Sequence, residues 1–242
     1  VGGTGPANLS DVKLIVVSDV TGHYDQEENK PFISNDQQRA ARRLKNGKLT
    51  VEKPRNGGSM LRLLLKDMGL DPENDCWLTN IVKCNPGKTK PTESLSKKCL
   101  ETWFVEELSY LNIHCPSAPI LIAGSLAFKS IVSKYKTCSF ARYKFKECLR
   151  TTHHTLFLHP VFFAFNPGSI SKSEWGIEDT VISGHDLRVE VLKRNVIPPQ
   201  ILSPIWTYKE DLKCLHNFLN TQKEKAELTS IQSNVSTPDI LF

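Results

Sequence analysis

Three polar residues stand where apolar runs give out: Asp19 behind Val12-Lys13-Leu14-Ile15-Val16-Val17, Asn80 inside Trp77-Leu78-Thr79-Asn80-Ile81-Val82, and His159 behind Thr155-Leu156-Phe157-Leu158. A carboxylate can steady positive charge growing on a substrate or orient an attacking water, and an imidazole can steady negative charge on a departing group. An amide is both donor and acceptor, so Asn80 can read one edge of a heterocycle while the ring of Phe32 stacks on its face. Each residue also has a plainer reading. Asp19 suits a turn or helix cap, Asn80 a strand end, His159 a loop, and Phe32 an ordinary core. Only the set together points to chemistry.

The elements that must position these residues follow from periodicity. Val12 to Val17 reads as a buried strand ending in the turn-like Ser18-Asp19-Val20-Thr21-Gly22. Residues 33–58 are polar and basic and read as an insertion. Helical spacing resumes with Met60, Leu61, Leu64, Leu65 and Met68, predicting a helix over Ser59 to Asp67 capped by Ser59. Trp77 to Val82 is a second strand, followed by a Pro/Gly/Lys loop from Cys84 to Pro91 and a helix from Glu93 to Leu111. Pro119 to Ala123 is a third strand, with Gly124-Ser125 opening another helix. Thr155 to Leu158 is a fourth strand that meets His159-Pro160. The recurring order of strand, loop and helix predicts an α/β domain with a mainly parallel central sheet flanked by helices. We expect that domain to span residues 1–220, with residues 221–242 as a polar tail that frays.

Several stretches carry a family resemblance. Ser18-Asp19-Val20-Thr21-Gly22 with Lys30-Pro31-Phe32 resembles the first motif of the family-4 uracil-DNA glycosylases, Gly-Glu-Ala-Pro-Gly followed by Pro-Phe. Leu78-Thr79-Asn80-Ile81-Val82-Lys83-Cys84-Asn85-Pro86 is similar to that family's Thr-Asn-Val-Val-Lys-Cys-Arg-Pro. His159-Pro160, with Asn166-Pro167 beyond it, resembles the closing His-Pro loop and its trailing Asn-Pro, and Ala123-Gly124 the Leu-Gly before the next helix. The resemblance runs from Val1 to Lys172 and implies a uracil-DNA-glycosylase-like sandwich. It makes Asp19 and His159 catalytic, as the carboxylate and the leaving-group stabiliser. Phe32 and Asn80 become base-binding, as the stacking ring and the base-reading amide. Lys83, Pro160 and Asn166 become DNA contacts, with Pro160 to Asn166 forming the loop that enters the duplex.

The departures matter as well. Asp19 stands where the family has Glu, shortening its reach by a methylene, and Ser18 and Thr21 replace a Gly and a Pro. The resemblance also implies a four-iron cluster, for which Cys84 and Cys99 match two ligands. The other two would lie upstream of this chain, or else the branch has lost the cluster and keeps both residues as plain thiols. Cys76, Cys115, Cys138, Cys148 and Cys214 have no close ligand spacing and read as packing residues. His153-His154 reads as surface. Lys129, Lys134, Lys136, Arg142, Lys144 and Lys146, interleaved with aromatic residues, form either a DNA-facing strip or a solvated face.

Composition bounds rather than decides. The net charge of +5, from 31 Lys+Arg against 26 Asp+Glu, suits a polyanionic partner. Seven Cys without dense regular spacing suit a reducing compartment. No apolar run approaches the roughly 18 to 20 residues that span a bilayer. The expectation is a cytoplasmic monomer acting on DNA, with no membrane association and no cofactor required for catalysis. Its activity would be that of a monofunctional glycosylase, which flips uracil or a modified pyrimidine out of DNA, hydrolyses the N-glycosidic bond and leaves an abasic site. The alternatives are a glycosylase for a bulky modified base in viral DNA, serving antiviral defence, and a catalytically weak protein that binds DNA or a partner.

Overall fold

A computed structural model describes residues 3–20, 57–83, 91–152, 154–166 and 204–235. Its strands are β1 (Leu14–Val20), β2 (Cys76–Val82), β3 (Ile120–Ala123), β4 (His154–Leu156) and β5 (His159–Ala164). The helices are α1 (Gly57–Asp67), α2 (Glu93–Cys99), α3 (Val105–His114), α4 (Ser125–Lys134), α5 (Phe145–Cys148) and α6 (Pro204–Val235). Leu100–Phe104 joins α2 to α3 by a π-helical stretch, so the helix expected over Glu93 to Leu111 is present with one irregular turn.

The sheet order is β2-β1-β3-β5-β4. The first four strands run parallel, with Ser18 opposite both Asn80 and Ala123, and Ala123 opposite Ala164. β4 runs antiparallel along the edge of β5. The β-branched run Ile15-Val16-Val17 favours a strand because it lies covered on both faces, as parallel sheets require. Leu14, Val16, Leu78, Leu121 and Phe162 meet α1 and α6 on one side. Ile15, Val17, Ile81, Ile122 and Phe163 meet the α2–α3 segment, α4 and α5 on the other.

Three expectations change. The run Thr155 to Leu158 is not a strand leading into a His-Pro loop. β4 ends at Leu156, Phe157 turns the chain with φ 54°, and β5 begins at His159 itself. Pro160 is tolerated because pairing with β3 starts only at Val161, so its missing N–H breaks no ladder there. α6 continues to Val235, through the point where polarity suggested a fraying tail. His154 is not a surface residue, being 2% exposed among the rings of Phe140, Tyr143 and Phe163. His153 lies outside the described residues.

Candidate active site

Parallel strands bring their carboxyl ends to one edge, which is where open α/β sheets place ligands. At that edge Ser18 and Asn80 are opposite each other, and in-register neighbours direct their side chains to the same face. Both are buried. Ser18 Oγ donates to the Ala123 carbonyl at 3.1 Å.

Asp19 turns to the other face. Its Oδ1 accepts from the Ala127 backbone N–H at 2.8 Å, and its carboxylate also takes the Leu126 N–H and a hydrogen bond from the Asn166 side chain. Asp19 thus sits over the first turn of α4, where the exposed N–H groups and the helix dipole favour an anion. Burial nevertheless raises its pKa above the ordinary carboxylate value, against the opposing pull of those three donors.

Gly124 makes that seat available. Its φ of 135° is one that side chains rarely adopt, and a Cβ there would stand 2.2 Å from Asp19 Oδ1. The side chain of Asn166, two residues past the end of β5, links the two faces. Its Nδ2 donates to Ser18 Oγ at 2.9 Å while the amide also reaches Asp19. Asp19 on β1 and Asn166 at the exit of β5 are thus joined, and Asn80 on β2 lies in register with the Ser18 that accepts from Asn166.

His159 is not among them. It opens β5, so the strand's length of about 16 Å separates it from the edge that carries Asp19. It is fully buried, its Nδ1 is 2.7 Å from the Ala118 carbonyl, and burial lowers its pKa and keeps the ring neutral. The catalytic role expected of His159 is corrected accordingly: it is a core histidine tying β5 to the chain before β3. Pro160 goes with it, away from any loop at the Asp19 edge. It lines a groove of about 660 Å³ with Met68, Leu70, Pro119, Leu158 and Phe218, at the opposite pole of the sheet.

Lys83 is at the correct edge but not on the surface. Buried at the exit of β2, it donates to Thr79 Oγ1 and pairs with Glu107 on α3. Thr79 Oγ1 donates to the same carboxylate at 3.0 Å, and Trp77 Nε1 donates to its other oxygen at 2.9 Å. Burial lowers the Lys83 pKa and Glu107 opposes that shift. Its expected role as a DNA contact gives way to that of a buried tie between β2 and α3.

Phe32 and Cys84 lie outside the described residues. Cys99 is buried at the end of α2 in the apolar layer. It offers one thiol, and among the described residues no three His, Cys, Asp or Glu side chains gather as a metal site. No described helix is long and apolar enough to cross a membrane.

The weight carried by Asn166 was under-read in the sequence, where it figured only as a DNA contact. The signal is present: Val161-Phe162-Phe163-Ala164 is an apolar run followed two residues later by a polar amide, as the run Leu14 to Val17 is by Asp19. Placing the strand at Thr155 to Leu158 hid it.

The edge arrangement agrees with a family match over most of the chain. The family model described as Uracil DNA glycosylase superfamily matches residues 5–181, from the segment before β1 to beyond Asn166. With the parallel sheet and the polar cluster at its carboxyl edge, that match means that the chain belongs to the uracil DNA glycosylase superfamily.

Proposed function

We propose that this protein is a monofunctional DNA glycosylase that removes uracil or a modified pyrimidine from DNA. The observation that carries the reading is the Asn166 amide, which joins Ser18 and Asp19 beside Asn80 at the carboxyl edge of the sheet. A base extruded from the stack meets the Asn80 amide, which matches the donor and acceptor edge of a pyrimidine. The C1′–N bond then breaks with its electron pair leaving on the base, and the sugar becomes cationic. Asp19 in its ionised form steadies that cation and holds the water that attacks it. Hydroxide equivalent ends on C1′, and the water's remaining proton neutralises the base.

Asn166 is a positioning residue in this scheme. Its donors fix the Asp19 carboxylate and oppose the rise in pKa that burial imposes. Of the described groups at this edge, the Asn80 amide is suited to donate to the departing anion. A Schiff-base route finds no support in Lys83, whose ammonium is committed to Glu107 and Thr79.

Within the superfamily, the stretch from Leu78 to Pro86 favours the family-4 branch. Uracil is the preferred base because Asn80 keeps its place. Ser18, standing where that family has Gly, is built into the Asn166 link and so reshapes the first loop. The deciding experiment is base release from labelled oligonucleotides carrying uracil, beside DNA with hydroxymethylated or glucosylated cytosine. Release of uracil that is lost in Asp19→Asn is the expected result. Release of the modified base alone would transfer the assignment to that substrate, and tight binding without any release would leave a binding protein.

A further inference from the structure

The basic run from Lys129 to Lys146 does not form one strip. Lys134 and Lys136 flank Tyr135, whose ring meets Phe157 edge-on at 5.3 Å in the β4–β5 turn, at the pole away from Asp19. Arg142, Lys144, Lys146 and Arg150 are all exposed around α5. That helix lies against the carboxyl end of β5, because Phe145 stacks edge-on with Phe165 at 5.7 Å, next to Asn166. Arg150 follows the last residue of that helix, Cys148, by two positions.

Arg150 has two features that a merely solvated cation lacks. Its backbone is held at φ 63°, a left-handed conformation unusual for a residue other than glycine. Its Nε donates at 2.8 Å to Asp211 on α6, a carboxylate only 1% exposed, while the arginine side chain itself remains 56% exposed. The Arg150 carbonyl also accepts from Cys214 on α6. The guanidinium is thereby anchored from beneath and presented at the rim of the site.

Resting on the glycosylase reading above, we propose that Arg150, oriented by Asp211 and flanked by Lys144 and Lys146, binds a backbone phosphate of the DNA strand running beside the site. A planar guanidinium that is more than half exposed suits the geometry of a phosphate. Glu147, also exposed, is turned back to accept from the Lys144 backbone N–H at 2.8 Å and so caps α5 rather than opposing the phosphate in the open.

The test is the salt dependence of DNA binding by the full chain, read by fluorescence anisotropy on a duplex with an uncleavable abasic-site analogue. The double variant Arg150→Gln/Asp211→Asn removes the pair without stranding a buried charge. It should weaken binding and lower the slope of log K against log salt by about 0.9, the release expected for one phosphate contact. The single-turnover rate of base release at saturating enzyme should be unchanged. Asp211→Asn alone keeps the cation and should keep the slope, and Lys134→Ala/Lys136→Ala at the far pole should keep it too. A wild-type slope in the double variant, or an equal loss in the far-pole variant, overturns the proposal and leaves the glycosylase reading intact. A wild-type chain showing no salt-dependent DNA binding overturns both.

Discussion

The two ends of one sheet both bury polar side chains and use them in opposite ways. At the carboxyl end, Asp19, Ser18 and Asn166 are linked across β1, β3, β5 and α4, beside Asn80 on β2. At the amino end, His159 is buried in the core, neutral and bound to a backbone carbonyl, beside an apolar groove. Residue type does not separate the two, since an imidazole is as good a catalyst as a carboxylate. Position in the strand does, because only the carboxyl end of a parallel sheet opens onto helix N-termini and loops.

The largest effect expected is on the active end. Asp19→Asn should lower single-turnover base release by about 10²- to 10⁴-fold, the usual loss for a catalytic carboxylate. The rate for wild type should climb with pH through an acidic limb lying above the ordinary carboxylate range, because burial raises the Asp19 pKa and the ionised form is the active one. That limb should vanish in the variant. Similar rates for both proteins would remove Asp19 from the chemistry and return it to the role of a helix cap.

Next in size is Lys83→Met, which tests a group that shares the active edge without taking part. It strands the Glu107 carboxylate and should cost about 3 kcal/mol or more in denaturant unfolding. Adding Glu107→Leu should recover most of that loss. A Schiff-base adduct trapped on Lys83 by borohydride would contradict its assignment as a structural tie.

Gly124→Ala should cost about 1–3 kcal/mol from its backbone alone and, by driving Asp19 from its seat, lose activity out of proportion to stability. Retained activity would mean that the Asp19 carboxylate has another place to bind. The smallest effect belongs to the quiet end. His159 has a folded-state pKa below 6.5, so the unfolded chain takes up the proton first as pH falls. Its share of stability is full at neutral pH and is lost as pH drops through 6.5 towards the folded-state value. His159→Gln should flatten the thermal-melting profile across that window.

How much of this was legible in the sequence depended on which signal was used. Short apolar runs placed β2 and β3 to within a residue, because a strand covered on both faces must be apolar throughout, whereas β1 runs three residues past its expected end at Val17 and takes in Ser18-Asp19-Val20, which the sequence reads as a turn. Asp19 and Asn80 still fall at the carboxyl ends of their strands. β5 was displaced because Thr155 to Leu158 and Val161 to Ala164 are both apolar, and the turn between them, Phe157-Leu158, has no Gly, Asn or Asp to mark it. A left-handed Phe157 replaces the usual turn residue. That one shift carried His159 to the wrong end of the sheet and hid Asn166. Lys83 was misjudged for a different reason: its partner Glu107 is 24 residues away on α3, a pairing that only tertiary structure reveals.

The most direct measurement sets Asn166→Ala against His159→Gln in single-turnover base release, on whichever base the wild type excises. Asn166→Ala should slow release by about 10²-fold, the effect of displacing a catalytic group by roughly an ångström. His159→Gln should remain within about threefold of wild type while costing about 1–3 kcal/mol of stability from its lost buried hydrogen bond. The reverse order, with His159→Gln inactive and Asn166→Ala unimpaired, would contradict the placement of the chemistry at the carboxyl edge of the sheet.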